Sequence, residues 1–217
     1  MIWFKRLSLF STFLTLCVVV FGAYVRLTDA GLGCPDWPGC FGTLSVPESV
    51  EAIAQANNMY PDSIVEVGKA WREMIHRYLA GVLGLLIVAL SFLAIKNRNQ
   101  INVPLYLPLF LVGLVIFQAA LGMWTVTELL KPVIVSVHLI GGMTILGLLT
   151  YITHRHFGTP VKIVDKNLVL MARFAILLLF IQIFLGGWTS TNYAALACTD
   201  FPTCHGSLVP DMDFRNG

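Results

Sequence analysis

Long apolar segments divide the chain into five spans that are separated by shorter polar stretches. They cover Leu7–Val25, Arg72–Ile95, Leu105–Val126, Val133–Thr153 and Leu168–Trp188. Each is about 20 residues long, the length that an α-helix needs to cross the hydrocarbon core of a bilayer. The pattern predicts an all-α integral membrane protein, with a four-helix transmembrane bundle followed by a fifth helix.

The composition supports a lipid environment for most of the chain. Of the residues, 57% are hydrophobic and 12% are charged, whereas a soluble domain carries roughly 25% charged residues. No small-residue cleavage site follows the first span, which we therefore interpret as a retained helix. The net charge of +2 comes without a basic cluster, and nothing indicates binding to nucleic acid.

The basic residues predict how the chain is oriented in the membrane. Short loops on the cytoplasmic side of a membrane are rich in Lys and Arg. The basic residues that we assign to the cytoplasmic side are Lys5, Arg6, Lys96, Arg98, Arg155, Lys162, Lys166 and Arg173. We therefore expect a cytoplasmic N-terminus, the remaining loops on the outer face, and a location in the cell (inner) membrane.

Four of the five cysteines fall on the predicted outer face as two pairs. Cys34 and Cys40 lie in the first outer loop, and Cys198 and Cys204 follow the fifth span. Disulfides persist on this oxidising side. We favour a disulfide between Cys34 and Cys40 over a redox-active pair, because catalytic dithiols usually have the Cys-x-x-Cys spacing.

The region around the fifth span repeats the region around the first span at an offset of 164 residues. Gly22, Ala30, Leu32, Cys34, Asp36, Pro38, Cys40 and Gly42 recur as Gly186, Ala194, Leu196, Cys198, Asp200, Pro202, Cys204 and Gly206. Parallel repeats are a known way of building membrane proteins. We therefore expect a first four-helix bundle at residues 1–160 and the start of a second, truncated repeat at residues 161–217.

Two histidines inside the apolar spans are the main candidates for chemistry. His76 and His138 each come about five residues from the predicted outer end of their span. Ionisable side chains in a membrane are functional candidates, and two histidines at one depth in a bundle can ligate haem iron. The alternative is a pair of histidines hydrogen-bonded to helix neighbours. Nearby small residues predict room for a macrocycle: Ala80, Gly81, Gly84, Ser136, Gly141 and Gly142.

Other polar residues accompany the two histidines. Glu73 lies one helical turn before His76 and could transfer protons, or it could pair with Arg77 at the i,i+4 spacing. Arg77 and Arg26 could bind haem propionates through paired hydrogen bonds, and Arg26 could equally be an interfacial anchor. Gln118 is expected to be a hydrogen-bond donor between helices.

Three segments together resemble the haem A synthase family over nearly the whole chain. They are the run from Gly22 to Cys40, the motif Glu73-Met-Ile-His-Arg77, and Val137-His-Leu-Ile-Gly-Gly142. The resemblance implies an eight-helix membrane oxidoreductase made of two similar four-helix bundles. It also implies conversion of haem O to haem A, in which a ring methyl group is oxidised to a formyl group.

The resemblance assigns roles to individual residues. It implies that His76 and His138 bind the substrate haem, that Glu73 takes part in the reaction, and that both cysteine pairs are the family's outer-loop pairs. The family's second histidine pair holds a haem b in later helices that this sequence does not contain, which leads us to expect a truncated form. Implied partners are the lipid bilayer, the haem O-producing farnesyltransferase and a membrane electron acceptor, and the exposed fifth helix is compatible with a homo-oligomer.

Two other functions are open at this point. The first is a non-catalytic b-type cytochrome that binds haem through His76 and His138 without modifying it. The second is a quinone-linked thiol oxidoreductase that uses the two outer cysteine pairs. Haem modification distinguishes the first from an oxidase, and the buried histidines argue against the second.

Overall fold

A computed structural model describes residues 2–158, 165–200 and 202–208. Within these residues the regular structure is helical, with two isolated β-bridges. The helices are α1 (Ile2–Leu27), α2 (Val50–Met59), α3 (Val67–Lys96), α4 (Tyr106–Thr127), α5 (Pro132–Phe157) and α6 (Lys166–Thr191), followed by a 3-10 turn at Ala194–Leu196. The all-α prediction is confirmed. Lys162, the expected boundary at residues 160 and 161, and the tail at 209–217 lie outside the described residues.

Five of the described helices are long and apolar enough to cross a membrane, namely α1, α3, α4, α5 and α6. They correspond to the five predicted spans. The chain is therefore a multi-pass membrane protein. We call the side of the bundle that carries Cys34 and Cys40 the loop side, and the opposite side the far side.

Four of the long helices form a closed ring. Helix α1 packs against α3 and α5, and α4 packs against the same two helices. Since no contact joins α3 to α5 among these helices, the two occupy opposite corners of the ring. Helix α6 packs along the outside of α5, and most of its side chains are exposed.

Two separate apolar clusters hold the bundle together. The larger one fills the far half of the ring and includes Ile87, Leu90, Leu111, Leu149 and Ile152. The smaller one lies on the loop side, where Cys34, Cys40, Phe41, Ala70 and Met74 pack beneath the first loop. His76 follows Met74 by two residues, so it enters the bundle between the two clusters.

Packing under this loop lengthens α3 beyond its predicted start. The helix begins at Val67 rather than Arg72, and Ala70 is completely buried by the loop. Gly33 makes the close approach of loop and helix possible, because a Cβ atom there would lie 2.7 Å from the backbone nitrogen of Ala70. Helix α2 was not predicted; it is a short, largely exposed helix whose N-cap, Ser49, accepts a hydrogen bond from the Ala52 N–H.

The two cysteine loops have the same backbone design. Disulfides join Cys34 to Cys40 and Cys198 to Cys204, each across six residues. In each loop an aspartate, Asp36 or Asp200, accepts hydrogen bonds from two consecutive backbone N–H groups. Hydrogen bonds from Thr203 and from the N–H groups of Gly206 and His205 lower the pKa of Asp200. The repeat seen in the sequence is thus also a structural repeat.

Candidate functional site

His76 enters the ring from α3 and lies against α1. Its imidazole stacks on Phe21, with ring centroids 6.5 Å apart and an angle of 22° between the planes. A Cβ atom built at Gly22 would lie 2.8 Å from Cε1 of His76. The absence of a side chain at Gly22 therefore provides the space that this ring occupies.

His138 enters the ring from the opposite corner and lies against α4. A Cβ atom built at Gly122 would lie 3.6 Å from Cε1 of His138. A glycine on each intervening helix, Gly22 on α1 and Gly122 on α4, thus faces one of the two imidazoles.

Each of the two imidazoles has a ring nitrogen that the described protein leaves unpaired. Nδ1 of His76 and Nδ1 of His138 are both buried, and neither has a hydrogen-bond partner of normal geometry in the described part of the chain. Buried polar atoms are normally paired, so one unpaired nitrogen on each of the two rings is an observation that fits a bound ligand. Haem iron brings four ring nitrogens and takes at most two ligands from the protein, which is the number that this site offers.

The small residues that face the histidines differ from those expected. Around Gly81 and Gly84 there is open space, and nothing lies within 4 Å of a Cβ built at either position. Gly141 is covered by the side chain of Gln118. The sequence does not predict that Gly22 and Gly122 contact the histidine rings, because this contact depends on how α1 and α4 are rotated in the bundle. The one feature of the sequence that draws attention to Gly22 is its recurrence as Gly186 in the repeat.

Glu73 and Arg77 form a buried ion pair that also binds the first loop. The exposed fractions of their side chains are 6% and 12%. Oε2 of Glu73 accepts a hydrogen bond of 3.0 Å from the Cys34 N–H, and Nη1 of Arg77 donates to the carbonyl groups of Asp36 and Gly39. The pair joins the disulfide loop to α3 one turn from His76. The i,i+4 pairing considered for Glu73 is present.

Arg26 connects the ends of α1 and α6 on the loop side. It donates hydrogen bonds to the Ser190 carbonyl at 2.5 Å and to the Tyr193 hydroxyl at 3.3 Å, and its guanidinium lies 4.4 Å from the centre of the Tyr193 ring. Tyr193 also donates to Asp29. Arg26 and Ser190 occupy equivalent positions of the two repeats, as do Asp29 and Tyr193. The two copies of this segment therefore meet through matching residues.

Gly22→Val is expected to weaken haem binding by at least about fivefold. The new side chain would displace His76, since overpacking a filled site costs about 1–3 kcal/mol and 1.4 kcal/mol is a factor of ten. The measurement is an optical titration of the haem-free chain with haem, which gives the affinity. Gly113→Val is the matched control, because nothing lies within 4 Å of a Cβ built at Gly113. Equal weakening by both substitutions would contradict the contact between Gly22 and His76.

The fold and the site define a multi-pass helical membrane protein whose bundle holds two opposed histidines. Residues 5–217 match the family model COX15-CtaA, described as cytochrome oxidase assembly protein. The chain belongs to this family. The match covers both histidines, the Glu73–Arg77 pair and both cysteine pairs.

Curated relatives carry the name Heme A synthase. The protein of Shewanella oneidensis is 46% identical over 213 residues, which make up 97% of this chain and 63% of that protein. The protein of Shouchella clausii is 26% identical over 215 residues, 96% of this chain and 66% of that protein. The chain therefore spans about two thirds of the length of these relatives. No solved structure matches the chain.

Proposed function

We propose that this chain acts in haem A synthesis, as an oxidoreductase that binds haem O and oxidises a ring methyl group to a formyl group. The observation that carries the proposal is the pair of imidazoles of His76 and His138, at opposite corners of one bundle, each with a buried Nδ1 atom that has no partner among the described residues. The names of its relatives support the particular reaction. In this proposal haem O is the substrate and the two histidines are its axial ligands.

Glu73 is the proposed proton acceptor of the reaction. Oxidation of a methyl group releases protons, and a carboxylate near the reacting group can take them up. Glu73 is 5% exposed and lies one turn from His76 on the loop side of the site. Its bonds to Arg77 and to the Cys34 N–H hold it in one position, so it is positioned as well as buried.

Arg26 and Arg77 are the proposed partners of the haem propionates. Both lie on the loop side, where water can solvate charged groups. In this structure the guanidinium group of Arg26 contacts Ser190 and Tyr193. The guanidinium group of Arg77 pairs with Glu73 and donates to the loop carbonyls. Binding a propionate would therefore exchange some of these protein contacts for contacts to the carboxylate.

The wider setting of the reaction is also part of the proposal. We place the chain in the inner membrane with its N-terminus in the cytoplasm, supported by the Lys and Arg distribution and by the two disulfides on the loop side. Residues 1–160 form the substrate-binding bundle and residues 161–217 begin a second repeat. The proposed partners are the farnesyltransferase that makes haem O and a membrane electron acceptor, with a haem b in the longer relatives as the resident cofactor. A homo-oligomer is a further proposal, supported by the exposed side chains of α6.

Mass analysis of the haem that co-purifies with the chain tests this function. The chain is expressed beside a source of haem O, purified in detergent, and its haem is extracted. We expect haem O together with hydroxylated or formylated derivatives. Haem B alone would favour a plain cytochrome and overturn the proposal, and haem O without oxidised derivatives would overturn oxidation by this chain.

The variant Glu73→Gln separates binding from oxidation in the same experiment. The glutamine carbonyl can still accept the hydrogen bond from the Cys34 N–H, and Arg77 keeps its bonds to the loop carbonyls, so these loop contacts remain. The variant loses proton uptake and the negative charge that pairs with Arg77. We expect unchanged haem content and about a hundredfold less oxidised haem, the usual scale for loss of a general base. Undiminished oxidation would exclude Glu73 as the proton acceptor.

A further inference from the structure

Gln118 is a buried amide without a hydrogen-bond acceptor. Its side chain lies between α4 and α5 and is 8% exposed, and its Nε2 atom has no partner among the described residues. The expected hydrogen bond between helices is therefore not present. Leaving a buried donor unpaired destabilises a protein, because the donor has lost its hydrogen bonds to water. A group of this kind at a binding site is a reason to look for a ligand atom that satisfies it.

The position of Gln118 connects it to the histidine site. Residues four apart lie on the same face of a helix, so Gln118 lies on the face of α4 from which Gly122 meets His138. Across the interface the amide covers Gly141, which follows His138 by about one turn of α5. A Cβ atom at Gly141 would overlap the amide, so any larger residue there would require the Gln118 side chain to move. Gln118 therefore lies about one helical turn from the residues at which α4 and α5 carry the His138 contact.

The amide lies toward the far side from the His138 ring. Helix α5 runs from the loop side to the far side, so Gly141 is about 4.5 Å deeper than His138 at 1.5 Å per residue. Charged propionates favour the loop side, where water and the arginines are. The opposite rim of a haem held by the two histidines would then lie at the level of Gln118. That rim carries neutral substituents, and these distinguish haem O from haem B.

We propose that the Gln118 amide donates a hydrogen bond to a neutral oxygen on the rim of the haem that His76 and His138 hold, and so selects a haem with a hydroxylated side chain. This inference rests on the proposed function, since it concerns the same site. Haem O carries such a hydroxyl group, and haem B has a vinyl group in its place. Gln118 is thus a specificity-determining residue.

The physical basis of the selection is the cost of the unpaired amide. With haem O the hydroxyl oxygen accepts the amide hydrogen, whereas with haem B the donor stays buried without a partner. A site that hydrogen-bonds a substrate hydroxyl rejects the analogue that lacks it for this reason. The alkyl chain of haem O adds apolar contacts of its own, so the informative quantity is the change in preference on substitution.

The test is an optical titration of the haem-free, full chain in detergent with haem O and, separately, with haem B. The variant is Gln118→Met, which keeps the length of the side chain and removes the amide. We expect haem O to bind about five- to tenfold more weakly to the variant, in line with the loss of one buried hydrogen bond. Haem B is expected to bind equally well or more tightly, because the unpaired donor has been removed.

The opposite response of the two haems shows whether Gln118 selects haem O or only packs the helices. If Gln118 only packs the helices, Gln118→Met weakens both haems equally, and the proposal is overturned. Gln118→Leu provides a second variant with the same expected pattern. Gln182→Leu is the matched control, because Gln182 is exposed on α6, and it should leave both affinities unchanged. If neither haem gives a bis-histidine spectrum with the unaltered chain, it is the proposed function that fails.

Discussion

Replacing His76 or His138 with alanine is expected to remove the bis-histidine haem spectrum of this protein. Each substitution deletes one of the two imidazoles that face each other across the ring of helices. Even substitutions beside a metal ligand lower affinity about 10- to 100-fold, so loss of a ligand should lower it by at least that much. The measurement is the haem content and the reduced-minus-oxidised spectrum of the purified chain.

The fold should survive both substitutions. The two rings lie between the apolar clusters rather than inside either one, and their Nδ1 atoms make no hydrogen bond that the substitutions would break, within the described residues. We therefore expect the purified variants to keep their helical content and to remain monodisperse. Haem loss caused by unfolding would appear in these measurements.

His154→Ala is the matched control for the two ligand variants. His154 is exposed near the far end of α5, well beyond the level of His138 in the same helix. It should leave haem content and spectrum unchanged. Full haem content in His76→Ala and His138→Ala would exclude ligation by these residues and with it the proposed site.

Arg77→Leu is expected to produce the largest loss of stability among the substitutions considered. It leaves the Glu73 carboxylate buried without its counter-charge, and breaking a buried ion pair in this way costs about 3–5 kcal/mol. It also removes the donor to the carbonyl groups of Asp36 and Gly39. We expect a lower thermal midpoint in detergent, together with faster hydrogen exchange in the loop at residues 33–43.

Two controls separate the buried charge from the loss of a side chain. Combining Arg77→Leu with Glu73→Gln removes both charges and should recover part of the stability, because the remaining cost is that of the loop contacts. Lys131→Leu breaks an ion pair with Glu128 whose side chains are 64% and 42% exposed, and exposed pairs contribute little. A double variant as unstable as Arg77→Leu alone would contradict the argument from the unpaired carboxylate.

The Glu73–Arg77 pair explains why the first loop matters to the site. It fixes the loop through the Cys34 N–H and two carbonyl groups. Both residues of the pair lie on α3 within about one helical turn of His76. Any change that loosens the loop should therefore also disturb the position of Glu73. The equivalent loop at Cys198–Cys204 has the same turn but is largely exposed in this structure.

The main elements of the fold could be predicted because lipid imposes a simple requirement. A segment that crosses a membrane must be apolar, about 20 residues long and helical, so that its backbone groups are hydrogen-bonded internally. The five long helices follow directly. His76 and His138 were visible for the same reason, since ionisable residues are rare in such segments. Helix α2 was missed, because a short helix outside the membrane does not show this pattern.

The sequence by itself determined the number of membrane helices, the two candidate ligands, the repeat and the cysteine pairs. Only the tertiary structure decided that α3 and α5 face each other across the ring and that Gly22 and Gly122 meet the imidazoles. It also decided that the Gln118 amide has no acceptor among the described residues. The physical reason is that whether a segment is apolar and long enough to cross a membrane depends on that segment alone. Which side chains meet depends on the rotation and packing of helices that are far apart in the chain.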